Sequence, residues 1–582
     1  MRLTDLSFRP ALFDALRRYR TADFGADLGA GLTVACVALP LAMAFGIASG
    51  VKPEQGLISA VVGGFLVAAF GGSRVQIGGP AGAFVALLYA IAERYGIANL
   101  LIATMMAGVL LIAMGALRLG QMVRYVPLPI VVGFTSGIAV VIALSQLKDF
   151  LGLEIAQMPA NFFSQIATLK QHLDTINLPA LGLGAGALAL LFLWPKPGMA
   201  RPAAPPATSA ARIGRRLSGW LRRVPGPLAV LVLATLLVIT LELPVETIGS
   251  RFGGIPQTLP PVQLPAFDWS TAQNLMAPTL SIAFLGAIES LLCARVADGM
   301  TGDRHDPNQE LIGQGIANCV APLFGGIAVT GTIARTVTNI RAGARTPIAG
   351  MVHSLALLGF MLLLAPLAVH IPMSVLAAIL LFVAYNMGEW HAFRRLRYFS
   401  NNYRVVMIAT FLLTVVFDLT VAVQIGLLLS SLLFIIRISA LTRLEPLPLP
   451  PDLAQLPDGR RVGAWGVFGS LFFGSTGKLE ALQAAGSLPD VVVLELHQVI
   501  HFDSTGLDAL RGLKRRLRQQ GGRLILVAPN EQPLSLMRRT QFLAALGPTN
   551  LFSRLDDVWR SLGAEAAAGQ LSSPSSSSPG SG

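Results

Sequence analysis

The sequence predicts a mostly helical membrane protein of fourteen spans followed by a small soluble α/β domain, and three observations predict it. The 582 residues are 53% hydrophobic and 13% charged, with a mean hydropathy of +0.63; the charged fraction is about half that of an ordinary soluble protein. Runs without Asp, Glu, Lys or Arg recur at 28–51, 95–117, 125–147 and 347–388, each long enough for one span of about 20 residues or, in the last case, two. They recur too often to be a signal peptide. After Arg443 the chemistry changes: LEPLPLPPDL is a proline-rich linker, and the residues beyond it alternate like a soluble domain.

In chain order the predicted spans cover residues 28–48, 54–71, 80–93, 97–117, 127–148, 178–194 and 225–243, then 275–297, 309–324, 331–342, 347–367, 371–388, 404–418 and 420–438. The third and tenth are too short to cross about 30 Å of hydrocarbon as helices. Each is preceded by a glycine-rich, partly β-branched lead-in, GGSRVQIGGPAG from Gly71 and FGGIAVTGT from Phe324. Interrupted segments at matching positions in two halves point to inverted repeats with a site at the membrane midplane. An odd number of spans per half, seven plus seven, turns one half over. The two short helices are therefore expected to enter from opposite faces and meet head to head.

The net charge of +13 is spread over short connections rather than one soluble face, which argues for topology and against nucleic acid. With a cytoplasmic N terminus carrying Arg17, Arg18 and Arg20, fourteen spans place Arg74, Arg118, Arg124, the 196–223 loop, Arg394, Arg395, Arg397 and Arg404 on that same side. Lys52, Arg94, Lys148, Lys170 and Arg251 fall opposite, giving the positive-inside asymmetry. The insertion from Pro195 is expected to be a flexible cytoplasmic loop. Cys36, Cys293 and Cys319 lie in apolar context without paired spacing and are expected to be small core residues.

In the soluble part, VVVLEL from Val491 and GRLILVAP from Gly522 predict buried strands. Between them Leu507, Leu510, Leu513 and Leu517 share one helix face, with Arg511, Lys514, Arg515 and Arg518 on the other, so the unit is β-α-β. The expected divisions are a cytoplasmic segment at 1–22, a membrane domain at 23–443, a linker at 444–460, the soluble domain at 461–562 and a disordered tail at 563–582.

Arg335 is the first candidate site residue. A charge within a span costs ~2.5–3.5 kcal/mol on insertion scales, and a bound anion would partner it. Backbone amides around Thr332, Ile333 and Ala334, and around Ala81, Gly82 and Ala83 after Pro80, would supply the rest, because each helix start carries free N–H groups and about half a positive charge. Pro80 suits a first helical turn. Glu289, in an otherwise apolar span, needs a proton, a cation or a basic partner such as Arg335; a proton-coupling role fits it. Asp298, Asp303, Asp306 and Glu310 are expected to be solvated, helix-capping residues.

The stretch ESLLCARVADGMTGDRHDPNQELIGQGIANCVAPLFGGIAVTGTIARTVTNIRAGARTP, Glu289 to Pro347, resembles the SulP family of anion transporters. So do DLGAGLTVACVALPLAMAFGIASGVKPEQGL from Asp27 and GGSRVQIGGPAGAF from Gly71. HFDSTGLDAL from His501 looks like the signature of a STAS (sulfate transporter and anti-sigma antagonist) domain. LPLAMAF and VGFTSGIAVVIALSQLKDFLGL look closest to the bacterial C4-dicarboxylate branch. The resemblance implies that spans one to four and eight to eleven form a transport core, and spans five to seven and twelve to fourteen a gate. The core would move against the gate as an elevator, usually in a homodimer. It places Phe45 in the pocket, and Leu41 where sulfate-transporting relatives usually carry Gln, which favours a different anion. It implies a basic residue at Arg335, and an acid at Glu289 that binds or senses the coupling ion. In anti-sigma antagonists the serine matching Ser504, between Asp503 and Thr505, is phosphorylated.

The expected function is secondary active transport of a small anion of the sulfate, C4-dicarboxylate or bicarbonate class. The expected place is the inner membrane, both termini cytoplasmic, with H⁺ or Na⁺ as coupling ion, no other cofactor, lipid around the spans and a possible protein partner at the STAS domain. An anion channel on the same fold and a membrane-tethered STAS regulator are the alternatives. No GxxxxGK[ST] motif is present and no nucleophile–base or metal spacing stands out, so neither ATP-driven transport nor an enzyme is expected.

Overall fold

Helices recur at each predicted span: α1 (Thr21–Ala48), α2 (Pro53–Phe70), α3 (Gly82–Tyr95), α4 (Ile97–Ala116), α5 (Leu128–Leu151), α6 (Leu178–Leu193), α7 (Gly226–Leu241), α8 (Met276–Thr301), α9 (Pro307–Val320), α10 (Ile333–Arg341), α11 (Ile348–Ala368), α12 (Met373–Met387), α13 (Asn401–Val416) and α14 (Leu419–Leu441). Among the described residues seven of them, α1, α2, α4, α5, α8, α11 and the Gln424–Leu441 part of α14, are long and apolar enough to cross a membrane. The structure, a computed structural model, describes residues 8–17, 19–121, 127–155, 158–159, 161–194, 225–265, 268–417, 419–484 and 488–572. Arg18, Arg124 and the 195–224 insertion lie outside the described residues.

α1 begins seven residues before its apolar run because polar partners are waiting there. Asp27 is fully buried and accepts from Arg345 N, Thr346 N and Thr346 Oγ1 at 2.8, 3.1 and 2.5 Å. α3 and α10 have 14 and 9 residues, about 21 and 14 Å at 1.5 Å per residue, so both are half-spans. Each starts two residues later than the sequence predicts. Pro80 precedes the N-cap residue Ala81 rather than sitting in the first turn, because the chain just before it is used in pairing. β1 (Gly78–Gly79) runs antiparallel to β2 (Thr330–Gly331), with Gly78 opposite Gly331 and Gly79 opposite Thr330. Opposed strands that each feed a helix send α3 and α10 away in opposite directions from one spot.

Among the membrane helices α1, α2 and α4 pack on α8, α9 and α11, while α5 packs on α12 and α13, and α12 on α6; α7 and α12 also meet α1, and α3 meets α5. Backbones approach closely through small residues, as membrane helices without a hydrophobic driving force require. A Cβ on Gly315 of α9 would lie 2.6 Å from Gly108 O, and one on Gly108 of α4 2.7 Å from Gly315 O. Gly31 of α1 faces Ala349 O of α11 in the same way, at 2.6 Å.

The chain forms two compact units, Met1–Leu427 and Leu428–Gly582. The boundary between the units falls inside α14, where only 6% of the window Gln424–Leu441 is buried, and Thr442 Oγ1 donates to Ser470 O at 2.9 Å within the second unit. That unit holds a five-stranded sheet: β3 (Arg443–Pro446), β4 (Val462–Leu471), β5 (Val491–Phe502), β6 (Arg523–Val527) and β7 (Leu551–Phe552), in spatial order β3-β4-β5-β6-β7. β3 is antiparallel to β4 and the rest are parallel. α15 (Gly477–Ala484) comes after β4, and α16 (Ser504–Gln519) crosses from β5 to β6 as predicted, with Leu507, Leu510, Leu513 and Leu517 buried. α17 (Glu531–Arg539) and α18 (Leu555–Ser572) complete it. α18 runs ten residues past 562, into the expected disordered tail, because GAEAAAGQL is rich in strong helix formers; residues 573–582 lie outside the described residues.

Gly315→Val should therefore cost about 1–3 kcal/mol through overpacking against α4. Gly29→Val, where a Cβ meets nothing within 4 Å, should leave stability close to the parent. Thermal unfolding of both variants in detergent checks the difference.

Candidate functional site

Irregular backbone inside a membrane must find hydrogen-bond partners within the protein. The first lead-in is tied to α10: Thr332 N and Oγ1 donate to Ile77 O at 2.9 and 3.0 Å, Ile77 N donates to Thr336 Oγ1 at 2.9 Å, and Asn339 Nδ2 donates to Val75 O at 2.9 Å. The second is held from its other side. Val329 N donates to Asn318 Oδ1 and Asn318 Nδ2 to Val329 O, both at 2.9 Å; Ser59 Oγ reaches Ile327 O at 3.0 Å, and Thr330 Oγ1 reaches Gly286 O at 3.1 Å.

Neither helix start is capped by a side chain. Thr332 is a residue type that commonly caps, yet its hydroxyl is spent on Ile77 O. The first amides of α3 and α10 are thus left for another acceptor. Arg335, the third residue of α10, is 1% exposed, and its Nε, Nη1 and Nη2 have no hydrogen-bond partner. Its guanidinium lies against Gly79, where a Cβ would collide with Nη1. A side chain at that position would have to displace the guanidinium. An unpaired guanidinium thus sits beside the strand pair from which both helices start.

The other sequence candidates assemble around it unequally. A Cβ on Gly82 would be 3.3 Å from the Phe45 ring, 3.5 Å from Ile142 Cδ1 and 3.5 Å from Met387 Sδ, so Phe45 covers the start of α3. Leu41, one turn earlier on α1, is buried, as are Ala81 and Ala83. The side chains of Ile333 and Ala334 are exposed, leaving their backbone amides as what they can offer. Glu289 is partly buried on the face of α8 that carries Gly286 and Cys293, whose contacts are Thr330 and Thr336. Its Oε2 has no partner, nor have the Arg335 nitrogens, so the two do not form the hydrogen-bonded pair weighed as the structural alternative.

Glu310 overturns its expectation as a solvated cap. It is 0% exposed. Oε2 accepts from Gly72 N and Ser73 N at 2.9 and 3.0 Å, and Oε1 accepts from Ser290 Oγ and Gln314 Nε2 at 3.2 and 3.1 Å. Ser290 Oγ in turn accepts from Gln76 Nε2 at 2.8 Å, and a Cβ on Gly331 would collide with that amide. Asp306 does cap α9, through Asn308 N and Gln309 N, and four residues on the helix has turned Glu310 inward onto the lead-in. The sequence signal was its position one turn past an Asp-Pro cap, which is the same whether the residue faces water or protein. His353 was also missed: it is 0% exposed on α11 with neither ring nitrogen partnered. In the second unit Asp503 caps α16 through Gly506 N at 2.8 Å, and Ser504 and Thr505 are exposed.

The sulfate permease family matches residues 24–410 and the STAS domain residues 460–558. YvdB of Bacillus subtilis (strain 168), whose description names sulfate transport, is 39% identical over 543 residues, 93% of this chain and 98% of that one. The bicarbonate transporter BicA of Picosynechococcus sp. is 33% identical over 424 residues, 71% of each. The transmembrane domain of a cyanobacterial BicA superposes with a TM-score of 0.61 at 33% identity, covering 70% of this chain and 98% of that one. Murine Slc26a9 in its inward-facing state shares the fold at 19% identity, with a TM-score of 0.80 over 95% of this chain and 94% of that one.

Glu310→Ala should leave the part-buried Gly72 N and the buried Ser73 N without this acceptor, at about 1–3 kcal/mol for the buried one. Its unfolding midpoint in detergent should fall well below that of Glu310→Gln, which keeps one oxygen for Gly72 and Ser73.

Proposed function

The chain belongs to the sulfate permease family, and we propose that it is a secondary active transporter that holds a small anion between the starts of α3 and α10. One observation carries this: Arg335 is buried with all three guanidinium nitrogens unpartnered, beside two uncapped helix starts that converge at one strand pair. A buried charge without a partner is strongly destabilising, and an anion would satisfy the guanidinium and the free amides of Ile333, Ala334, Gly82 and Ala83 together. Phe45 would close the pocket over the start of α3, with Leu41 behind it.

Compact oxyanions of the sulfate and bicarbonate class are favoured by the relatives' names, ahead of a C4-dicarboxylate. The unpartnered Glu289 is the candidate coupling group, taking H⁺ or Na⁺ as the anion loads. Spans α1–α4 with α8–α11 would be the moving core and spans α5–α7 with α12–α14 the gate of an elevator motion, in an inner-membrane homodimer with cytoplasmic termini. Exposed Ser504 and Thr505 at the Asp503-capped start of α16 are the candidate regulatory positions, since phosphate is electrostatically welcome at a helix start; that domain would also offer any protein-binding surface.

Arg335→Ala should insert and fold but lose anion uptake in proteoliposomes at least tenfold, about 1.4 kcal/mol or more; unchanged uptake with unchanged affinity refutes the site. Accumulation against a gradient distinguishes a transporter from a channel. Glu289→Gln should flatten the pH dependence of uptake, and a profile identical to the parent's removes Glu289 from proton coupling.

A further inference from the structure

A second unpaired cation lies away from Arg335, on the membrane face opposite the amino terminus. There a cavity of about 520 Å³ opens between the C-terminal ends of α1, α3 and α5. It adjoins a second of about 520 Å³, the two sharing Lys148, Asp149 and Arg251. Arg251 is neutralised: its Nη1 lies 2.7 Å from Asp149 Oδ1 and 3.6 Å from Glu246 Oε2. Lys52, at the rim, is 3.9 Å from Glu54 Oε1. Lys148 differs from both. It is only 8% exposed, yet no carboxylate lies within 4 Å of its ammonium among the described residues, and no hydrogen bond from it is formed there. With Asp149 and Glu246 both engaged by Arg251, no carboxylate pairs with this ammonium at contact distance, and the cavity it lines is where a counter-ion could stand.

The walls of that cavity lead to the Arg335 site. Tyr89, Ala92 and Glu93 line it and lie seven, ten and eleven residues beyond Gly82, on the same face of α3. Ser145, Gln146 and Asp149 line it and lie three, four and seven residues beyond Ile142, the α5 residue that meets the start of α3. Ala48 lies three residues beyond Phe45 on α1. Three helices thus carry one continuous surface from the cavity to a plug of Phe45, Ile142 and Met387 over Gly82. Above the plug, the Tyr89 hydroxyl donates to Met158 O, tying α3 to the chain after α5.

We propose that this cavity is a capture site for the transported anion, with Lys148 as the residue that attracts and briefly holds it before the plug opens. The inference rests on the transport function proposed above and adds a second anion position to it. Lys148 belongs to the helix group that stays still in an elevator motion, so it loads the site from one face only. Its effect should be confined to anion arriving from that face. A cation lining a low-dielectric cleft raises local anion concentration and association rate, which shows in KM rather than kcat.

Sulfate and bicarbonate uptake, each measured in right-side-out and inside-out vesicles, tests this. Lys148→Gln should raise KM about tenfold for anion supplied at the cavity face, leave KM at the other face and kcat within about twofold, and be rescued by Lys148→Arg. A KM unchanged at the cavity face, or raised equally at both faces, overturns the capture site while leaving the Arg335 site standing. A parent that moves neither anion overturns both. Independently of folding effects at Lys148, Ala92→Cys should react faster with a negatively charged methanethiosulfonate than with a positively charged one, relative to free thiol. Equal relative rates overturn the proposal.

Discussion

The antiparallel pairing of Gly78–Gly79 with Thr330–Gly331 is the constraint on which the membrane unit depends. Two residues from each lead-in exchange backbone hydrogen bonds in a region without water, so neither lead-in can be helical there and neither of the helices they feed can cross the bilayer alone. Opposed strand directions send the helices opposite ways. Their positive ends then share one place, and like charges brought together need a reason to stay. The strand pair, together with the bonds from Thr332, Thr336 and Asn339 to residues 75–77, holds them against that repulsion.

Holding the pair also explains the polar residues behind it. Asn318, Ser59 and Thr330 serve the second lead-in, and the Glu310–Ser290–Gln76 chain serves the first and ends beneath Gly331. Side chains in this position replace the water that a surface loop would use. Glycines stand where the supports come closest, and a Cβ would displace the Arg335 guanidinium at Gly79 and the Gln76 amide at Gly331.

Much of this was legible in the sequence because membrane spans are written in composition. Fourteen helices, the two short ones and the β-α-β of the second unit come from apolar run length, glycine-rich lead-ins and the leucine face at 507–517. Arg335 stood out because it lies near the start of the short helix, more than a turn from the basic end where a topology arginine such as Arg341 or Arg345 would sit. Boundaries were less legible: α1 starts early because Asp27 finds partners more than 300 residues away, and α18 runs on through residues whose low-complexity neighbours suggested disorder. Glu310 was hidden for a related reason. A carboxylate just after a helix cap faces water or protein according to what packs against the helix, and only the fold brings Gly72 and Ser73 there. Lys148 was visible as a residue outside the positive side, but its burial and lack of a partner depend on α3 and α1 standing across the cavity.

Buried charges in this unit supply their own comparison. Asp27 and Glu310 are both fully buried, and each collects at least three donors from distant parts of the chain. The fold is therefore able to neutralise or solvate a charge with its own atoms. Arg335 is as deeply buried and collects no acceptor, although Thr332 and Thr336 lie near it in sequence on α10, their hydroxyl oxygens engaged with Ile77 O and Ile77 N. The two unexposed carboxylates are satisfied by protein donors and the unexposed guanidinium is not met by protein acceptors, so the charge left open beside the two helix starts is positive, which is the observation behind the anion site proposed above.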